Sequence, residues 1–453
     1  MSTLINSAII GQEVLQNFEN QLVMAGVVDF SYNDKFGAGD APIGISYSFP
    51  KPIQPTVTRN NLAWNAGNSV VSQAKVTLTI DRTVTSPISF TEADLSLRLS
   101  RFSERIIVPA TAKIASDLDS QLSDAIINST VGGSPANAGL DYSNITHGSV
   151  IANAAGYVVG DYKTAVKPST ILKAKKVLAD QGCPLDDGNL YGALTTTANA
   201  QLLDAQSTLF NVLTVIDDTY RKGFIRSYNG IKFAESQTMA THTNGAQQAI
   251  TVTSGTLTTG WAEVATLTIP ALTGAVKAGD VFQAATSKIV NPLSKNVTDL
   301  PAQFQVVADA AIGDTSIVVS PAPISAGPYK NIDATLNGQA INLTGDTAVD
   351  GSHGANLSGQ ESLIFHKRAI QAASPKLFLP KKAVEMAELI SPEDAEGFSI
   401  RFLRDYDTVG ASTTFGGGVG TGGPGSISRF DVFCGFKASQ PAWIVRVRSS
   451  ALA

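Results

Sequence analysis

Between residues 39 and 90 the chain carries Pro42, Pro50, Pro52 and Pro55, and then a run in which Val76, Leu78 and Ile80 alternate with Thr77, Thr79 and Asp81. Proline has no N–H to give a ladder, so the first half is barred from a central strand. The second half has the period of two that gives a strand one apolar and one polar face. Together they predict a long, extended β-hairpin arm standing outside any compact core. A two-stranded hairpin alone is marginal in water, so this arm is expected to lie on another surface. The side chains placed to make that contact are Tyr47, Phe49, Lys51, Ile53, Arg59, Trp64, Val76, Leu78 and Ile80.

The segments around the arm have a different character. Residues 1–38 read as an N-terminal arm, amphipathic in its first part, with Leu15, Phe18, Leu22 and Val23 at helical spacing. From Ile107 the apolar positions Ala110, Ile114, Leu118, Leu122 and Ala125 recur at threes and fours. They predict a helix of about 22 residues, roughly 33 Å long, with Pro109 tolerable only in the first turn. A second amphipathic helix is expected over 168–182, using Ile171, Leu172, Val177 and Leu178 and ended by Gly182 and Pro184. "NLYGALTTTANAQLLDA" reads as strand, turn and short helix, and Asn229-Gly230 as the turn of a hairpin. Residues 91–236 are therefore a mixed α+β body, which resumes over 361–453.

Between those parts, over 237–360, short strands succeed one another with Gly, Pro, Asn and Asp as punctuation. They fall at 250–253, 264–269, 281–284, 304–307, 316–319, 332–336 and 341–343. No helix-length stripe interrupts them, so this is an inserted all-β barrel or sandwich.

Charged residues make up only 16% of the 453, and the formal net charge is -5. A weakly charged surface suits extensive burial against neighbours. A dedicated nucleic-acid binder is excluded, because grip on a phosphate backbone comes from clustered Lys and Arg. Two cysteines, Cys183 and Cys434, can build neither a disulfide framework nor a four-cysteine zinc site. The first residues show no signal-peptide pattern, and nowhere do 18 apolar residues run together, so no membrane contact is expected. The sequons at Asn128, Asn144, Asn296, Asn342 and Asn356 are read as the chance product of a chain rich in Asn, Ser and Thr.

"GGGVGTGGPGS", 416–426, contains the G-x-G-x-x-G spacing of a dinucleotide cradle. Such a cradle needs a helix to open after it, since the helix N-terminus supplies the phosphate-binding N–H groups. The segment beyond the glycines instead keeps a period of two through Phe430 and Val432, then Trp443, Val445 and Val447, so the run is expected to join two strands. His147, His242, His353 and His366 are scattered, and the pairs Asp217–Asp218 and Asp405–Asp407 read as solvated turn carboxylates. No catalytic residue, cofactor or metal ligand is assigned, and the chain is not read as an enzyme.

The order of parts carries a resemblance. N-terminal arm, Pro-interrupted β-arm, long helix, mixed body and inserted β-barrel together resemble the major capsid protein of tailed bacteriophages, the Johnson fold. The likeness is nearest to the gene-five coat family of short-tailed Salmonella-type phages. "RKGFIRSYNGIKFAESQ" looks like the strand pair before the insertion, and "GQESLIFHKRAIQAASPKL" like the return into the body. "FSIRFLRDYD" to "CGFKASQPAWIVRVRS" looks like the closing strands.

The resemblance implies an α+β fold of N-arm (1–38), E-loop hairpin (39–90), P-domain with spine helix and part of the A-domain (91–236), inserted β-barrel (237–360) and the remaining A- and P-domain (361–453). It implies hexamers and pentamers of one chain in an icosahedral shell, made in the host cytoplasm with scaffolding and portal proteins. That shell would enclose double-stranded DNA by weak, non-specific contact. The rival readings are an encapsulin-like nanocompartment, a β-rich surface adhesin and an oxidoreductase built on the glycine run.

Overall fold

The computed structural model describes residues 17–18, 21–36, 46–51, 74–80, 82–91, 108–128, 157–206, 227–258, 260–344, 354–377, 379, 386–390, 397–407 and 425–450. The chain is α+β and divides into two compact units. One comprises Met1–Tyr47, Leu78–Ser120 and Gln371–Phe436, and the other Ser48–Thr77, Gln121–Ile370 and Lys437–Ala453.

The Pro-rich ribbon contributes β1 (Ser46–Pro50) and β2 (Lys75–Thr79), which pair as a two-stranded sheet, and β3 (Arg82–Thr91) comes next. The long helix α1 spans Val108–Ile127, with Pro109 in its first turn as the missing N–H requires. Ile114, Leu118 and Leu122 are fully buried along its apolar stripe. On the same helix Asp119 accepts the backbone N–H groups of Val23, Met24 and Ala25 at 2.8, 3.0 and 2.7 Å, which fixes the N-terminal arm.

The body continues through β4 (Tyr157–Val159), α2 (Pro168–Asp180), β5 (Leu190–Thr195), α3 (Thr196–Gln206), β6 (Ser227–Tyr228) and β7 (Ile231–Ser236). In α2 the buried residues are Ile171, Ala174, Val177 and Leu178, whereas Leu172 is exposed. One step along a 3.6-residue helix rotates a side chain about 100°, so Leu172 cannot share the face of Ile171 and Leu178. Asn229 and Gly230 both take positive φ, 54° and 78°, and turn β6 back onto β7. That is the geometry two-residue hairpins select Asn-Gly for.

After the short strand β8 (Thr241–Thr243) come β9 (Ala249–Thr251), β10 (Ala265–Thr268), β11 (Val281–Val290), β12 (Val297–Val306), β13 (Ser316–Ser320) and β14 (Ala340–Leu343). The last six form one sheet in the order β10-β13-β12-β11-β14-β9, over a core that includes Val252, Phe282, Phe304 and Ile341. β11 and β12 run well beyond the apolar cores that marked them in sequence. Their outer halves are polar, and Pro301 sits opposite Lys288 where the register shifts. The expected strand at 332–336 is absent. Ile332 and Leu336 are buried there, but Asp333 exchanges bonds with Lys288, its side chain accepting that residue's N–H, and this holds the segment as a loop.

The chain then runs through β15 (Ser358–His366), β16 (Ile370–Ala373), β17 (Met386–Ile390), β18 (Ile400–Asp407), β19 (Gly425–Ala438) and β20 (Ile444–Arg448). β15 closes a seven-stranded sheet, β4-β20-β15-β5-β7-β6, with β8 paired to its first residues. Trp443 ends a 3-10 turn and not a strand, and all of β20 is buried on both faces.

A five-stranded sheet has the order β16-β19-β18-β17, with β3 also on β19. Phe398, Ile400 and Phe402 are buried, as their alternation predicted, and the Phe398 ring meets Phe18, Phe30 and Phe436 edge-on. Gly435 lies where β19 passes under the end of β2: a Cβ there would sit 2.1 Å from Thr79 O and 2.8 Å from Ile80 Cα. Among the described residues no helix is long and apolar enough to cross a membrane.

Candidate functional site

The root of the ribbon is built by strand alternation. On the open face Ser48 Oγ and Thr77 Oγ1 lie 2.8 Å apart, and beyond β1 the Lys51 N–H donates to Ala74 O at 2.8 Å. On the covered face Phe49, Val76, Leu78 and Ile80 are 5%, 2%, 0% and 2% exposed in the single chain. Tyr47 is half-buried, its ring 5.8 Å from Tyr32 and 6.1 Å from Phe36. The apolar face of the ribbon's root is thus covered within the single chain. Ile53, Arg59 and Trp64 lie outside the described residues.

The footing of that root is the β-rich segment. Ala74 packs with Ile324 and Tyr329, with Leu257 and Trp261 against them. Lys51 Nζ stands 5.0 Å from the centroid of the Trp261 ring, a cation–π contact. The nearby Glu263 carboxylate pairs with Lys437 at 3.1 Å. Burial pulls the Lys51 ammonium down to about 8, with Glu263 opposing the shift. A base whose folded pKa is depressed binds fewer protons folded than unfolded between about pH 8 and 10.4, so stability rises with pH across that window. Lys51→Met is expected to remove a slope of up to about 1 kcal/mol per pH unit there, read by urea unfolding at pH 8, 9 and 10.

A second cluster was not legible as a site. Glu361 on β15 and Arg446 and Arg448 on β20 are fully buried. Arg446 binds the carboxylate through Nε and, at 2.9 Å, through Nη2; Arg448 Nε donates to it at 2.8 Å. The Tyr162 hydroxyl donates to Glu361 Oε1, and its ring lies 4.6 Å from the Arg448 guanidinium carbon. Burial alone would raise the Glu361 carboxyl, but the two guanidiniums outweigh it and hold it well below the usual carboxylate range. The structure places Glu361 directly opposite Arg448 across two neighbouring strands, a register the sequence alone does not give.

The remaining sequence candidates are dispersed. His242 is buried, with Nδ1 2.7 Å from Asn128 Oδ1 and Nε2 3.0 Å from Asp280 Oδ1. His366 meets Asp187 at 2.8 Å. His147, His353, Asp217 and Asp218 lie outside the described residues. Asp405 and Asp407 belong to strand β18 and not to a turn. Burial pushes the Cys183 thiol up to about 12, and Cys434 is buried too. Asp407 pairs with Gly425 and a strand begins there, so the glycine run joins two antiparallel strands and no phosphate-binding helix opens after it. Among the described residues no group of three or more His, Cys, Asp or Glu side chains is placed to hold a metal ion.

A family model described as "P22 coat protein - gene protein 5" matches residues 2–412. Its members are viral coat proteins, which are structural and non-enzymatic. The chain belongs to the P22 coat protein family. It is a major capsid protein of a tailed phage, a component of the virion shell that assembles with copies of itself into an icosahedral capsid.

Comparison with curated protein sequences gives no match. Among solved structures the chain is similar to one from Mycobacterium phage Che8, at 10% identity and a TM-score of 0.42, over 95% of this chain and 92% of that one. It is similar to the capsid of Ralstonia phage GP4, at 6% identity and a TM-score of 0.43, over 96% and 92%. A virus-like particle from Pyrococcus furiosus is similar at 8% identity and a TM-score of 0.36, over 96% and 97%. Scores this low do not separate one kind of shell from another; the family model does.

Proposed function

We propose that the 39–90 ribbon ties one coat subunit to the next by lying on a neighbouring copy. In the family's terms, residues 1–38 are the N-arm, 39–90 the E-loop, 91–236 and 361–453 the P- and A-domains, and 237–360 the inserted β-barrel. Subunits gather as hexamers and pentamers around a scaffolding protein, with a portal protein in the shell. The acidic chain holds packaged double-stranded DNA only by weak, non-specific contact.

The observation that supports the reading is the isolation of β1 and β2. Among the described residues they pair only with each other, cover one face at their root and leave alternate residues on the other face open. A hairpin so placed gains stability when a second copy adds contacts along it. Replacing 52–73 by a short Gly-Ser turn is expected to leave a soluble chain that melts within about 3 °C of the parent. Negative-stain microscopy should then find no shells. Parent-sized shells in parent yield from that variant would take the ribbon out of this role.

A further inference from the structure

We propose that the Arg446–Glu361–Arg448 triad fixes the angle at which the six-stranded sheet stands on the seven-stranded sheet, as a determinant of pose and not as a source of net stability. Both sheets lie in the same compact unit. Among the described residues no strand of one sheet pairs with a strand of the other; β8, which leads toward the six-stranded sheet, is itself paired to the start of β15, from Ser358↔Thr243 to Gln360↔Thr241. The angle between the sheets is therefore set by contacts other than a shared ladder.

The triad spans the junction between the two sheets. From the centre of the seven-stranded sheet, Arg446 Nη1 reaches Gly279 O at 2.7 Å, just before β11 begins. Arg448 Nη1 reaches Thr344 O at 2.8 Å and Thr344 Oγ1 at 2.9 Å, just after β14 ends. β11 and β14 are paired neighbours, so the two arginines grip adjacent strands at one end of the sheet. Glu361 holds both guanidiniums in place from below.

The neutral contacts between the sheets, such as Gln303 Oε1 accepting the Val158 N–H at 2.7 Å, fix distance at single points. Arg446 grips the carboxylate with two N–H groups and Arg448 with one, and each planar guanidinium also bonds the six-stranded sheet's backbone, which fixes direction as well. Removing three charges from water costs about as much as their mutual attraction returns, so such a cluster contributes geometry more than free energy. In a self-assembling subunit, a fixed pose lets every copy offer its neighbours the same surface.

The test reads pose and stability separately, on the full unassembled chain, so its outcome does not depend on the ribbon's role. Spin labels at Leu172→Cys, on α2, and Ile312→Cys, on the six-stranded sheet's β12–β13 connection, are both on exposed sites. Cys183 and Cys434 are replaced by Ala. The triple variant Glu361→Leu, Arg446→Met, Arg448→Met is expected to recover most of the urea midpoint lost by Glu361→Ala alone. Its inter-label distance distribution should broaden roughly twofold or more. Arg448→Lys, which keeps the charge and loses the fork, should broaden it by a smaller amount with the midpoint nearly unchanged. An unchanged width in both variants overturns the proposal. So does a triple variant as unstable as the single one, for then the triad supplies stability and not pose.

Discussion

Glu361→Ala is expected to lower stability by about 3–5 kcal/mol. Removing the carboxylate leaves Arg446 and Arg448 in a fully buried site with no counter-charge, and takes away the acceptor of three guanidinium N–H groups and of the Tyr162 hydroxyl. The loss should depend on pH in a defined direction. A carboxyl whose folded pKa is held down contributes fully above its unfolded value near 4.3, and that contribution fades as pH falls through the folded value. The parent-minus-variant difference in urea unfolding should thus be flat from pH 6 to 8 and shrink only in strong acid. A difference under about 1 kcal/mol at pH 7 would mean that the arginines find water or another partner when Glu361 is gone.

Gly435→Ala should be nearly as damaging, by about 3 kcal/mol. The added Cβ would stand 2.1 Å from a backbone carbonyl oxygen and 2.8 Å from a backbone Cα, and neither can swing away as a side chain could. The strain falls where β19 passes the turn from β2 into β3, so the β3 amides paired to β19 should lose hydrogen-exchange protection first. Equal protection in variant and parent would show that the strands can part locally at little cost.

These two sites differ in how far the sequence announced them, and the difference is physical. α1 was legible because its stripe from Ala110 to Ala125 repeats over about four turns, and long periodic segments dominate local noise. The Asn229-Gly230 turn was legible because few residue pairs accept positive φ twice. The alternation of Val76, Leu78 and Ile80 correctly marked one covered face but not what covers it, since periodicity gives an orientation and never a partner.

The triad was hidden for the converse reason. Arg446 and Arg448 alternate with valines, which in an ordinary half-buried strand means solvent. Only the placement of β20 between β4 and β15, with the inserted sheet over its second face, turns that polar edge inward. Likewise the outer halves of β11 and β12 carry Ser287, Lys288, Thr298 and Asp299, and are held as strands by each other and not by their own composition.

Strand β19 has a temporal consequence. It accepts β3 from the first hundred residues, with Thr91 opposite Gly425 and Arg82 opposite Cys434. During translation at about 5–20 residues per second, the early strand therefore waits on the order of 20 to 70 s for a mate that has not yet been made. Throughout that interval its edge is free to join the wrong chain, and on a crowded polysome the nearest wrong chain is another copy of itself. A premature stop before Gly425 would leave β3 permanently in that state.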